Sequence, residues 1–332
     1  MSTASKTKTK RFERNADAKP LPEEKLTPQH IDMLRLLNEH RVNRTSHLAP
    51  SHLSQRRTRK LRELYNNKYI DKLHGEDEVG HGVNPAALYV LDRRGAKFLN
   101  DNLGEWATSY SGTKKAGTKY QLTHTLHSAD LLVAVKYACD QSDGTYRYLS
   151  KNEILTNKPR LKHNKPLKLE VESRGEPKFT VADALFGIEY ASGDKRYFFV
   201  EIDRGTMPIK RNQRKESKQT DVHQKYVVYG EYRAQKYAIE DFGFKNFGVL
   251  FITSGGLERP KNVLEDTRKL ARKRDGSMPG VPSWLFGHYR TILDDSHNVL
   301  DAPFIRYWRG ELQERSLLTL TENTQPSPTP VN

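Results

Sequence analysis

Three acids stand in surroundings too apolar to solvate them: Asp183 in VADALFGI, and Glu201 and Asp203 in FFVEIDRGT. A carboxylate among Val181, Ala182, Leu185 and Phe186 is costly to bury unless it is paired or bound to a metal. Carboxylate oxygens, with the remaining positions left to water and phosphate, are what Mg²⁺ or Mn²⁺ takes, and such an ion can activate water and stabilise a pentavalent phosphate. Asp183, Glu201 and Asp203 are therefore candidate metal ligands, and the chemistry would be phosphodiester hydrolysis. Lys225 and Tyr229 in KYVVY are four residues apart, so on a helix they share one face. A lysine there would orient the attacking water or neutralise phosphate charge. The plainer alternative stays open: Glu201 and Asp203 in ion pairs with Arg204, Lys210 or Arg211, and Asp183 as a hydrogen-bonded structural residue.

Positioning these groups requires a hairpin. Phe179–Tyr190 and Tyr197–Asp203 are rich in aromatic and β-branched residues, and Ser192, Gly193 and Asp194 lie in the break between them. The strand period of two puts Phe199, Glu201 and Asp203 on one face and Phe198, Val200 and Ile202 on the other. If Asp183 pairs opposite Asp203, all three acids share a face, whereas a one-residue slip separates them. A helix is expected over about 218–240, then a buried strand at Phe247–Thr253, a helix over about 259–273, and late strands at Trp284–Tyr289 and Phe304–Trp308.

The runs VADALFGI, FFVEIDRGT and KYVVY resemble the central motif of the replication-relaxation family of plasmid and mobile-element proteins, with EIDRGT the most specific segment and about Leu26 to Trp308 covered. That family is similar in layout to the restriction-endonuclease-like, PD-(D/E)XK, nucleases. The resemblance implies Asp183 as the first acid and Glu201 as the second. Ala182 stands where a proline is expected, and Asp203 where those nucleases carry a lysine, so Lys225 would substitute from the helix or the site would merely hold DNA.

The chain has 332 residues, with 56 Lys and Arg against 41 Asp and Glu, a net charge of +15. Such a surplus supplies phosphate neutralisation and makes double-stranded DNA the expected partner. No stretch reaches 18 apolar residues, so no membrane partner is expected, and the N-terminus lacks the apolar core of a signal peptide, which predicts a cytoplasmic protein. The single cysteine, Cys139, excludes an internal disulfide and reads as a small core residue.

Residues 1–25 are basic and polar and predict a disordered arm. Over 26–104 the pattern predicts a winged helix: helices at Pro28–His40, Thr45–Ala49 and Ser51–Asn66, wing strands at Tyr69–Leu73 and Ala87–Leu91 around a loop at Gly75–Pro85, and a further helix at Asp92–Asn100. Leu53, Leu61, Leu64 and Tyr65 face inward in the third helix, the recognition-helix candidate, with Arg56, Arg59 and Arg62 facing out. Arg56, Arg57, Arg59, Lys60 and Arg62 are the candidate DNA contacts there. Residues 105–119 read as a linker, and Thr123–Asp140 as a helix bearing His124 and His127. His124 matches a histidine of the resembling family and is a candidate phosphate contact; the pair without a third ligand is a weak metal signal. Residues 142–178 read as an irregular basic loop, and the segment after the hairpin adds Lys210, Arg211 and Arg214 as DNA-binding candidates. Residues 316–332 predict a disordered tail.

The expected architecture is α/β (α+β overall): a winged helix-turn-helix domain followed, over 120–315, by a restriction-endonuclease-like mixed-sheet domain. The expected role is DNA binding in plasmid or mobile-element replication initiation, relaxation or mobilisation, with Mg²⁺ or Mn²⁺ as cofactor if it cleaves. Open beside it are a catalytically inactive accessory that recruits a relaxase or replication protein, and a repressor acting as a homodimer.

Overall fold

A computed structural model describes residues 14–49, 54–73, 87–110, 119–156, 158, 165–173, 175–209, 221–271, 283–294, 298–308 and 311–318. Most of the expected arm, the tail beyond 318, the wing loop, residues 111–118 and the cluster Lys210, Arg211 and Arg214 lie outside these. The chain divides into two compact units, Met1–Val133 and Ala134–Asn332.

In the first unit, α1 (Pro28–His40), β1 (Val42–Arg44), α2 (Thr45–Leu48), α3 (Ser54–Asn66), β2 (Ile70–Leu73), β3 (Leu88–Leu91) and α4 (Arg93–Leu103) follow in order. Pro28 opens α1 where its missing N–H costs nothing, and His30 Nδ1 accepts the Thr27 N–H at 3.1 Å. Asp92 caps α4, and Gly104 closes it in the left-handed conformation that glycine adopts without strain. Strand β3 lies centrally between β1 and β2, antiparallel to both. Strand β1 was not foreseen, since three residues are too few for a periodic signal. Met33, Leu34, Leu37, Leu61, Leu64, Tyr69 and Leu99 form the core of this unit.

The helix α5 (Lys119–Asp140) contains the division between the units. Its Leu126 packs with Val42, Leu88 and Val90, and its Asp130 pairs with Arg44 at 3.0 Å and His47 at 2.7 Å. Residues 105–110 are also tied to the first unit, through Ala107 N–H to Asn100 Oδ1 at 3.1 Å and Tyr110 N–H to the Leu91 carbonyl at 2.9 Å. Hence the division falls downstream of the stretch 105–119.

The second unit carries β4 (Tyr146–Leu149), α6 (Lys151–Ile154), β5 (Lys168–Ser173), β6 (Glu176–Val181), β7 (Ala184–Tyr190), β8 (Lys195–Asp203), α7 (Val222–Ala234), α8 (Tyr237–Phe242), β9 (Gly248–Thr253), α9 (Arg259–Ala271), β10 (Ser283–His288), α10 (Tyr289–Ile292), β11 (Phe304–Trp308) and β12 (Glu311–Arg315). Its seven-stranded sheet runs β12-β11-β10-β9-β8-β7-β4. Strands β8, β9 and β10 are parallel neighbours and the flanking pairs antiparallel, so the α/β class and the mixed sheet hold. Every residue of β9 is buried, as its unbroken apolar run requires.

Three sequence expectations need correction. Among its described residues the segment 142–178 is not an irregular loop: it holds β4, α6 and β5, and in β5 the alternation of Leu169 and Val171 with Glu170 and Glu172 is the half-buried strand signal. The expected strand Phe179–Tyr190 is two strands, β6 pairing with β5 and β7 with β8. The expected helix over 218–240 breaks at Lys236, which has φ 60°, into α7 and α8. No helix among the described residues is long and apolar enough to cross a membrane.

Candidate functional site

The switch of partners between β6 and β7 sets the position of Asp183. Ala182 N–H donates to the Leu167 carbonyl at 3.1 Å, and Asp183 N–H to the Val200 carbonyl at 3.0 Å, so one peptide step carries the chain from one sheet to the other. Asp183 Oδ2 accepts the Ile202 N–H at 2.7 Å, which fills a ladder position with a side chain. Ala184 pairs with Val200, bringing Asp183 level with Glu201 rather than with Asp203. The shift is two residues, one full strand period, so Asp183, Glu201 and Asp203 still share a face.

Glu201 is fully buried, and both of its oxygens are engaged. Tyr229 Oη donates to Oε1 at 2.7 Å, and Lys225 Nζ forms an ion pair with Oε2. Asp221 starts α7 by accepting the Gln224 N–H at 2.6 Å, and the helical spacing then stacks Lys225 and Tyr229 over β8. Phe199, Phe247 and Trp284 pack around Tyr229, with ring centroids 5.6, 6.3 and 5.7 Å away.

The electrostatics of the pair pull in opposite senses. Burial pushes the Glu201 carboxyl up to about 7 against the Lys225 charge. Burial also opposes the Lys225 ammonium, yet Glu201, Asp183 and Asp203 together hold it above its ordinary value. The lysine direction governs the centre, because Glu201, Asp183 and Asp203 all act on that one ammonium. Burial, followed by Glu201, drives the Tyr229 phenol well above its usual range, so Tyr229 serves as a donor.

Asp203 is served by the carboxyl ends of the parallel strands. Its Oδ1 accepts the Gly205 N–H at 3.1 Å, and its Oδ2 accepts Thr253 Oγ1 at 3.2 Å and pairs with Arg259. Arg259 also donates to the Met207 carbonyl at 2.5 Å. Thr253 Oγ1 accepts the Gly255 N–H at 3.1 Å, and His288 Nε2 donates to the Gly255 carbonyl at 2.8 Å. Glu201 therefore pairs with Lys225 and Asp203 with Arg259, while Lys210 and Arg211 lie outside the described residues. Arg259, Thr253 and His288 escaped the sequence reading, since only the register β8–β9–β10 aligns Asp203, Thr253 and His288.

The donor set does not fit a divalent cation in this arrangement. Each oxygen of Glu201 and of Asp203 already accepts a protein donor, and Lys225 and Arg259 already supply positive charge there, so a divalent cation would have to compete with both. Among the described residues, no group of three or more His, Cys, Asp or Glu side chains is arranged to hold a metal.

In the first unit, α3 exposes Arg56, Arg59 and Arg62, three residues apart along one side. Arg57 is instead turned inward: its Nε donates to the Leu48 carbonyl at 2.8 Å and its guanidinium pairs with Asp32 at 2.5 Å. Lys60 is half-buried and donates to Thr27 Oγ1 at 2.9 Å. His124 is half-buried on α5 and belongs to the first unit, while the acids belong to the second.

Comparison with curated proteins and with solved structures gave no match. A family model, replication-relaxation, matches residues 34–236, a span from α1 through the acid-bearing hairpin and α7. With more than half of its length matched, the chain belongs to the replication-relaxation family, whose theme is replication and relaxation of plasmid and mobile-element DNA.

Proposed function

We propose that this protein binds double-stranded DNA through its first unit and serves plasmid or mobile-element replication or relaxation as a non-hydrolytic accessory that brings a relaxase or replication protein to the duplex. The observation that carries the reading is the row Arg56, Arg59 and Arg62, exposed on α3. The order helix, strand, helix, helix, strand, strand supports a winged helix-turn-helix with α3 as its reading helix. A net charge of +15 adds the long-range attraction. The test is equilibrium binding to duplex DNA across a salt series, comparing wild type with Arg56→Ala/Arg59→Ala/Arg62→Ala. Equal affinity of the two proteins would remove α3 from the interface.

In this reading the second unit is a restriction-endonuclease-like fold whose acid centre holds the sheet to α7 and α9 rather than cutting DNA. The engagement of both Glu201 oxygens supports it. A second reading, phosphodiester cleavage dependent on Mg²⁺ or Mn²⁺, draws on Asp183 and Glu201 standing level across β7 and β8 beside Lys225. Nicking of supercoiled plasmid that disappears in Asp183→Ala would establish that reading.

A further inference from the structure

We propose that Lys225 and Arg259 are fixed counter-ions occupying the role a divalent cation would play, which makes the acid centre of the second unit independent of metal by construction. The proposal rests on the non-hydrolytic reading of this centre and not on DNA binding, so a failed DNA titration would leave it standing.

The donors define the arrangement. Lys225 and Tyr229 close Glu201 from α7, and Arg259 of α9, Thr253 of β9 and the Gly205 N–H close Asp203. Asp183 Oδ2 is committed to the Ile202 N–H. Ammonium and guanidinium groups present N–H donors only, so each occupies a lone pair that a metal would need. Both cations are held rigidly. Lys225 projects from the second turn of a capped helix, with its side chain 8% exposed. Arg259 is pinned at its other nitrogen by the Met207 carbonyl, and its Cδ lies where a Cβ on Gly255 would come within 2.9 Å.

Two positive side chains thus face three carboxylates inside one interior, and neither charge can leave without exposing an acid to a medium that does not solvate it. A bound Mg²⁺ beside Lys225 would set two cations against the same Glu201 oxygens, so the lysine and the metal compete for them. It follows that removing the lysine charge should open a divalent-cation site, with Oε2 of Glu201 released next to Asp183.

The experiment titrates Mn²⁺ into wild type, Lys225→Met and Lys225→Met/Asp183→Asn, following loss of the free-ion EPR signal and the thermal midpoint at matched ionic strength. Wild type is expected to leave the signal and the midpoint unchanged. Lys225→Met is expected to start from a lower midpoint and to regain on the order of 5 °C at saturating Mn²⁺, a gain lost in the double variant. Saturable Mn²⁺ binding by wild type that Glu201→Gln abolishes would overturn the proposal, as would a folded Lys225→Met that binds none. If Lys225→Met does not fold, Arg259→Gln replaces it: Mn²⁺ binding confined to that variant supports the proposal, and none in it overturns the proposal.

Discussion

The Lys225 ammonium on α7 and the Glu201 carboxylate on β8 form an ion pair sealed inside the second unit, with side-chain exposures of 8% and 0%. Removing one member leaves a buried charge without its partner, which costs about 3–5 kcal/mol. Glu201→Gln and Lys225→Met should each lower stability by that order in urea unfolding, while Glu201→Gln/Lys225→Met should cost clearly less than their sum. Single losses of ~0.5 kcal/mol, the level of an exposed pair, would mean that the interior is wet.

Asp130 on α5 predicts an acid transition. Burial pushes its carboxyl up, but the His47 hydrogen bond and the Arg44 charge outweigh that and hold it at about 2. A carboxylate with a depressed folded-state value contributes stability fully present above its unfolded value, roughly pH 4, and lost as pH falls through about 2. The contribution is on the order of 2 kcal/mol. Asp130→Asn should lower stability at neutral pH and flatten the loss between pH 4 and 2. An unchanged acid profile would show that the pair with Arg44 and His47 does not set it.

The arginines of α3 separate into two kinds. Arg56→Ala, Arg59→Ala and Arg62→Ala should leave stability almost untouched and reduce the salt slope of DNA affinity by about 0.9 for each phosphate no longer neutralised. Arg57→Ala should behave oppositely, lowering the urea midpoint because the Leu48 carbonyl and Asp32 are left without their donor. A variant at Arg57 with full stability and weakened DNA binding would reverse this division.

Gly205 lies at φ 82°, and a Cβ there would come within 2.9 Å of the Gly255 backbone. Neither the conformation nor the close approach tolerates a side chain, so Gly205→Ala should cost about 1–3 kcal/mol and loosen the Asp203–Arg259 pair beside it. Thermal unfolding measures the first effect. A variant as stable as wild type would show that these two turns can part.

Cys139 is buried, and burial pushes its thiol up to about 12. The native protein should therefore resist thiol reagents at neutral pH and react fully only after denaturation. Rapid labelling of the folded chain would reveal local opening of α5.

Which residues need burial, and with what period, can be read along the chain. The apolar run of β9, the aromatic strand β8 and the i, i+4 pair Lys225 and Tyr229 were legible because local periodicity is written into neighbouring residues. The family was legible too, in EIDRGT and KYVVY. Strand β1 carries too few residues to register, β12 (ELQER) has no apolar face to reveal it, and β5 was masked by the lysines and prolines before it.

Tertiary structure alone decided the chemistry of the acids. The partner exchange at Ala182–Asp183 fixed the register that sets Asp183 beside Glu201, and only the sheet order brought Arg259 to Asp203 across 56 residues. Whether a carboxylate is a ligand or one half of an ion pair depends on which long-range groups reach its lone pairs. Residue spacing fixes the face from which a side chain emerges; the packing of α7 and α9 on that face fixes what it meets.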